Sequence, residues 1–162
     1  MPRTAKSKAI PPVYLLRTGA LCPWCGQATN ASTLLASALY YAPEEDTFPG
    51  PLVLKNIESL LLPLLALFYE RCPTWRFDRG SADEPSYLMN HCYRCRGQLT
   101  DHYLHDEPGF AFFPTSPEQC RTICLFALAD EFSHSVPLVC SWTCGGLTDF
   151  LDYRHPRPLA EL

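Results

Sequence analysis

The chain has 162 residues, 47% hydrophobic and 19% charged, with a formal net charge of −4. That suits one domain with a real apolar core and excludes a disordered tail, a collagen-like fibre and a disulfide-dependent miniature scaffold. Its 16 Pro, about twice the usual share, predict many short elements, and its 9 Cys demand a chemical explanation.

Residues 1–12 read as a basic N-terminal arm, residues 13–148 as a single domain and residues 149–162 as a polar C-terminal tail. Pro11-Pro12 arrives before any apolar run of signal-peptide length, and no segment approaches the roughly 20 apolar residues of a membrane span, so a soluble, cytoplasmic protein is expected. The charge is uneven. Residues 1–43 hold Arg3, Lys6, Lys8 and Arg17 with no acid, residues 71–96 are also basic, and the remainder is acidic. Only the segments flanking the CxxC pairs are basic, which does not favour binding chiefly to phosphates.

In chain order, strands are expected over 13–18 and 33–41, a loop over 43–51, and a helix over 56–70. The regular part of that helix should start near Pro63 and end at Cys72-Pro73. A polar loop over 81–85 precedes a strand over 86–90 that delivers His91 and Cys92. Ser116-Pro117-Glu118-Gln119 has the form of a capping box and predicts a helix over 117–130, followed by a strand over 135–142.

Cys22-Pro-Trp-Cys25-Gly26 and Cys92-Tyr-Arg-Cys95-Arg96-Gly97 are two CxxC pairs behind strand-like runs. In a zinc knuckle the two-residue spacer turns both thiolates toward one ion while backbone N–H groups point at the sulfurs. Two knuckles supply four ligands and leave no open position, the mark of a structural site. The 66 residues between the pairs exceed the spacing of a compact ribbon, so the metal would join distant parts of the chain. A redox reading of Cys22 and Cys25 would need a long helix directly after them, and Gln27 to Ser32 are turn and strand formers instead.

Two CxxxC pairs, Cys120/Cys124 and Cys140/Cys144, suggest a second metal site. However, Cys120, Ile123, Cys124, Ala127 and Leu128 also share one face of the expected helix, and core burial is the preferred reading there and for Cys72. His91, His102, His105 and Asp101 are candidates for a catalytic site. The preferred reading makes His91, Asp101 and His105 residues that support the zinc ligands by hydrogen bonding.

The segment 87–114 resembles an uncharacterised bacterial family of zinc-ribbon proteins, with an early CxxC and a later NHCxxC motif followed by D, LH and EPG. The matching positions are Cys22, Cys25, Asn90, His91, Cys92, Cys95, Asp101, Leu104, His105, Glu107, Pro108 and Gly109. Arg96 and Thr100 stand where the family tends to have Gly. The resemblance implies metal binding and a bacterial or mobile-element source, and it implies no activity.

The expected architecture is therefore α+β: a split zinc ribbon of two β-knuckles with short antiparallel strands and about two packed helices. One structural Zn2+ is expected on Cys22, Cys25, Cys92 and Cys95. The expected function is a non-catalytic module that binds a protein partner, with Trp24, Tyr93, Arg94 and Arg96 and the aromatics Phe110, Phe112 and Phe113 as candidate contacts. The alternatives are a nucleic-acid-binding ribbon, with bases stacked on Tyr93 or Trp24 beside Arg94 and Arg96, or a mobile-element protein that blocks a host defence complex.

Overall fold

Two long strands open the chain in the computed structural model, which describes residues 3–128, 134–143 and 156–162. The elements are β1 (Ala5–Leu21), β2 (Ala28–Tyr41), β3 (Asp46–Ser59), α1 (Leu62–Arg71), β4 (Trp75–Asp78), β5 (Tyr87–His91), β6 (Gln98–Leu99), α2 (Asp101–His105), α3 (Pro117–Cys120), β7 (Cys124–Ala127), β8 (Val136–Thr143) and β9 (Arg157–Pro158). β1 pairs with β2, β2 with β3, β3 with β8, and β8 returns to the first part of β1. Four antiparallel strands thus close a small barrel, which removes their free edges. β7 and β9 extend the sheet beyond the later part of β1, and β4, β5 and β6 form a separate three-stranded sheet.

Alternation along the barrel strands explains why both of their faces are apolar. Leu15 lies opposite Leu34, and these two belong to a first core with Leu54, Leu64, Phe68 and Trp75. Leu35 lies opposite Val53, and these belong to a second core with Leu16, Leu99, Leu104 and Phe112. A strand buried on both sides reads as a continuous apolar run, and each fully buried Leu contributes about 1.5–3 kcal/mol. The second core also contains Cys22 and Cys92, so the first cysteine of each CxxC pair is anchored in packed apolar side chains.

The expected α+β split ribbon is corrected by this arrangement. Strand makes up 49% of the described residues, the helices are short, and the organising unit is the barrel. The prolines misled because they do not end the strands. Pro11 and Pro12 fall in a register shift of β1 between Ile10 and Val13, and Pro51 falls in the irregular stretch of the β2–β3 pairing, which Pro49 borders. Bulges accept a residue without an N–H and bend a strand, as barrel closure requires.

Three local expectations change for related reasons. The expected loop over 43–51 is largely the start of β3, and residues 56–59 finish β3 instead of starting a helix, so α1 begins only at Leu62. Ser116 caps α3 as expected, its hydroxyl accepting from the Gln119 N–H at 3.3 Å, but α3 ends at Cys120. The following residues form β7 against β1, with Leu125 in the second core and Phe126 in the first. The tail expected over 149–162 is described only from residue 156, where β9 pairs in parallel with β7.

Candidate metal centre

Each CxxC pair occupies the turn after a strand, and the two turns share one hydrogen-bond pattern. The Cys22 N–H donates to the Gln27 carbonyl at 2.9 Å and the Gly26 N–H to the Cys22 carbonyl at 2.9 Å. The same two bonds recur from the Cys92 N–H to Gly97 at 2.9 Å and from the Arg96 N–H to Cys92 at 3.0 Å. Gly26, at φ +73°, and Arg96, at φ +64°, fill the left-handed position that reverses each chain.

These matched turns face each other and bring the four sulfurs within 4.8 Å of one another. The Cys22 and Cys95 sulfurs are 3.6 Å apart and those of Cys25 and Cys92 are 3.7 Å apart, far beyond a disulfide bond of about 2.05 Å. Four thiolates about 2.3 Å from a central tetrahedral ion would stand about 3.8 Å apart, close to both distances. The Trp24 N–H points at the Cys22 sulfur (3.4 Å) and the Gly97 N–H at the Cys95 sulfur (3.3 Å). The cluster therefore has the geometry to hold a metal ion, and it is the only such group among the described residues.

The electrostatics agree. The Cys95 N–H outweighs burial and, with the Arg94 N–H, draws the Cys92 thiol down to about 6. The Gly97 N–H acts to lower the Cys95 thiol, but burial and the three neighbouring sulfurs prevail and push it up to about 12. Four thiolates this close require a cation to ionise together.

Contacts outside the cluster fix the two knuckles against each other. The Asn90 amide spans Ser32 of β2, its Oδ1 accepting from the Ser32 N–H at 2.8 Å and its Nδ2 donating to the Ser32 carbonyl at 2.9 Å. The Tyr93 N–H donates to Thr29 Oγ1 at 3.2 Å. Trp24 lies across Gly97, where an added Cβ would clash with its Cδ1, and its Nε1–H donates to the Gln98 carbonyl at 2.8 Å. Spacing located the sulfurs, but it gave no role to Asn90 or Gly97.

The three residues expected to support the ligands hold other partners. His91 is buried, with Nε2 2.8 Å from Asp78 Oδ2 and Nδ1 3.2 Å from the Thr74 carbonyl, so it ties β5 to the end of β4. Asp101 is buried and accepts from the Asn56 N–H at 2.7 Å, and burial, opposed by that bond, pushes its carboxyl up to about 7. His105 packs against Phe112 with ring centroids 5.0 Å apart, neither ring nitrogen has a hydrogen-bond partner among the described residues, and burial, helped by the Lys55 charge, holds its pKa down to about 3.

Asp101 and His105 belong to a polar centre that the motifs did not disclose. Lys55, buried on β3, is ion-paired with Asp106, whose other oxygen is 3.0 Å from His102 Nδ1. Asn56 beside it takes φ +47° within a register shift of β3 against β8, which turns its N–H toward Asp101.

Of the candidate contacts, Trp24, Tyr93, Arg94, Arg96 and Phe110 are exposed, Phe113 is half-buried and Phe112 is buried. Cys72, Cys120 and Cys140 are buried, with burial pushing the Cys140 thiol up to about 12, and Cys124 is half-buried. Cys144 lies outside the described residues, as does any pairing of it with Cys140. Among the described residues no helix is long and apolar enough to cross a membrane. No family model, curated protein or solved structure matches this chain.

Proposed function

We propose that the protein is a zinc-stabilised, non-catalytic module that binds a protein partner, with one zinc ion on Cys22, Cys25, Cys92 and Cys95. The observation that carries the metal reading is the pair of cross-knuckle sulfur distances, 3.6 and 3.7 Å, which match the edges of a tetrahedral thiolate site. Protein sulfurs fill all four positions, so water and substrate have no place on the ion and its role is structural. Zinc and iron both accept such a set, and zinc suits a site whose purpose is to hold shape without redox chemistry.

The binding role follows from what the clasp presents. Trp24 is 71% exposed and Tyr93 60%, on turns held by the sulfurs and by backbone hydrogen bonds, and Leu21, 65% exposed, ends β1 beside them. Rigid aromatic side chains lose little entropy on contact, which suits them as anchors for a partner.

Elemental analysis of protein purified without added metal, together with a native thiol count, tests the metal. One zinc per chain is expected, with four thiols that become reactive only when a chelator removes it, and bound iron or no bound metal overturns the assignment. Nucleic acid is the second reading, supported by Tyr93 lying exposed beside Arg94 and Arg96. Titration of an oligothymidine against tryptophan fluorescence separates the two, because binding that weakens steeply with salt favours nucleic acid over a protein partner.

A further inference from the structure

Strand register places a cationic, apolar groove on the outer face of the barrel, apart from the cysteine cluster. Lys8 of β1 lies between Tyr40 of β2 and Pro137 of β8, and Lys6 lies opposite Val139, which in turn lies opposite Ser59 of β3. Residues two apart on a strand point the same way, so these side chains form two adjacent rows on one surface. Lys6, Lys8 and Pro137 are exposed, whereas Ser7 and Leu138, which alternate with them, are buried. Leu60 and Leu61, leading into α1, add a second wall, and the groove so formed has a volume of about 480 Å³.

The lining names the ligand's chemistry. Its walls are mainly aliphatic and aromatic, it contains two lysines, and among the described residues no acidic one lines it. The Lys8 ammonium is held 5.9 Å from the centre of the Tyr40 ring, which keeps one positive charge at the rim above the apolar floor. The volume falls within the range of small-molecule sites, about 300–1,000 Å³. The backbone argues against an extended peptide: β1 is paired here with β2 on one side and β8 on the other, which leaves it no free ladder edge for strand addition.

We propose that this groove binds an anionic amphiphile, an apolar chain or ring bearing a carboxylate, with the apolar part against Leu61 and Val139 and the anion between Lys6 and Lys8. The proposal is independent of the metal and of the partner-binding role of the knuckles.

Dodecanoate, kept below its micellar concentration, is titrated into the full-length metal-loaded chain while backbone amide shifts are followed by NMR. Saturable shifts at Lys6, Lys8, Tyr40, Leu61 and Val139 are expected, with dodecyltrimethylammonium producing none at the same concentrations. The double variant Lys6→Glu/Lys8→Glu, whose unchanged circular dichroism confirms its fold, is expected to bind dodecanoate about tenfold more weakly. Equal binding of the two amphiphiles, shifts confined to other surfaces, or no saturable binding overturns the proposal.

Discussion

Arg96 and Gly26 hold the same place in the two knuckles, and only one of them suits it. A side chain at φ +64° crowds its own backbone, at about 1–2 kcal/mol in the left-handed region, and glycine avoids this at some cost in unfolded-state entropy. Arg96→Gly is therefore expected to stabilise the metal-loaded protein by about 0.5–1 kcal/mol in denaturant unfolding. Gly97 has the opposite constraint, because a methyl group there would overlap the Trp24 ring. Gly97→Ala is expected to displace Trp24 and shift its indole N–H resonance, at about 1–3 kcal/mol. Asn90→Ala removes both hydrogen bonds to Ser32, at about 2–4 kcal/mol, and is expected to lower metal affinity 10–100-fold in a competition titration with a chelating dye.

Among the elements, β3 carries the second polar centre, and its register shift at Asn56 sets the partner of Asp101. The folded-state pKa of Asp101, about 7, lies above its ordinary value of 3.8, so the native state holds the proton more tightly than the unfolded chain. Its contribution is thus most favourable below about pH 4 and is lost as pH rises from about 4 to 7, by about 2–4 kcal/mol. Asp101→Asn retains an oxygen to accept from the Asn56 N–H and is expected to flatten that slope, as measured by urea unfolding at pH 4.5 and pH 7.5. Element type was legible where the pattern was strong: the strand expected over 135–142 is β8, and the strand over 86–90 is β5 shifted by one residue. The helix expected over 117–130 failed because Cys120, Ile123 and Cys124 fit a helical stripe by coincidence, while β7 follows a period of two set by pairing with β1.

For the whole molecule, two cores share the barrel strands and only one of them contains cysteines of the cluster. Removing the metal, or replacing Cys92 by Ser, is expected to deprotect residues 22–27 and 92–97 and the second core in hydrogen exchange. The barrel strands around Leu15, Leu34 and Leu54 should stay protected, because the first core they pack in contains Cys72 and Cys140 but no cysteine of the cluster. Loss of protection throughout the chain would show instead that the metal carries the entire fold.

The sequence by itself determined that Cys22 and Cys25, and Cys92 and Cys95, each turn two sulfurs the same way, a local property of the two-residue spacer, whereas the meeting of the two pairs needed the fold. It also determined that a sizeable core exists. Only the tertiary structure decided that the core is double and that its scaffold is a closed barrel, because barrel closure depends on pairing between β1 and β8, more than a hundred residues apart. Long-range pairing leaves no periodic trace in either strand, and the bulges that accommodate Pro11, Pro12, Pro49 and Pro51 look in one dimension like strand ends. For the same reason Asp101 and His105, close to Cys95 in sequence, have their hydrogen-bonding and packing partners elsewhere, at Asn56 and Phe112.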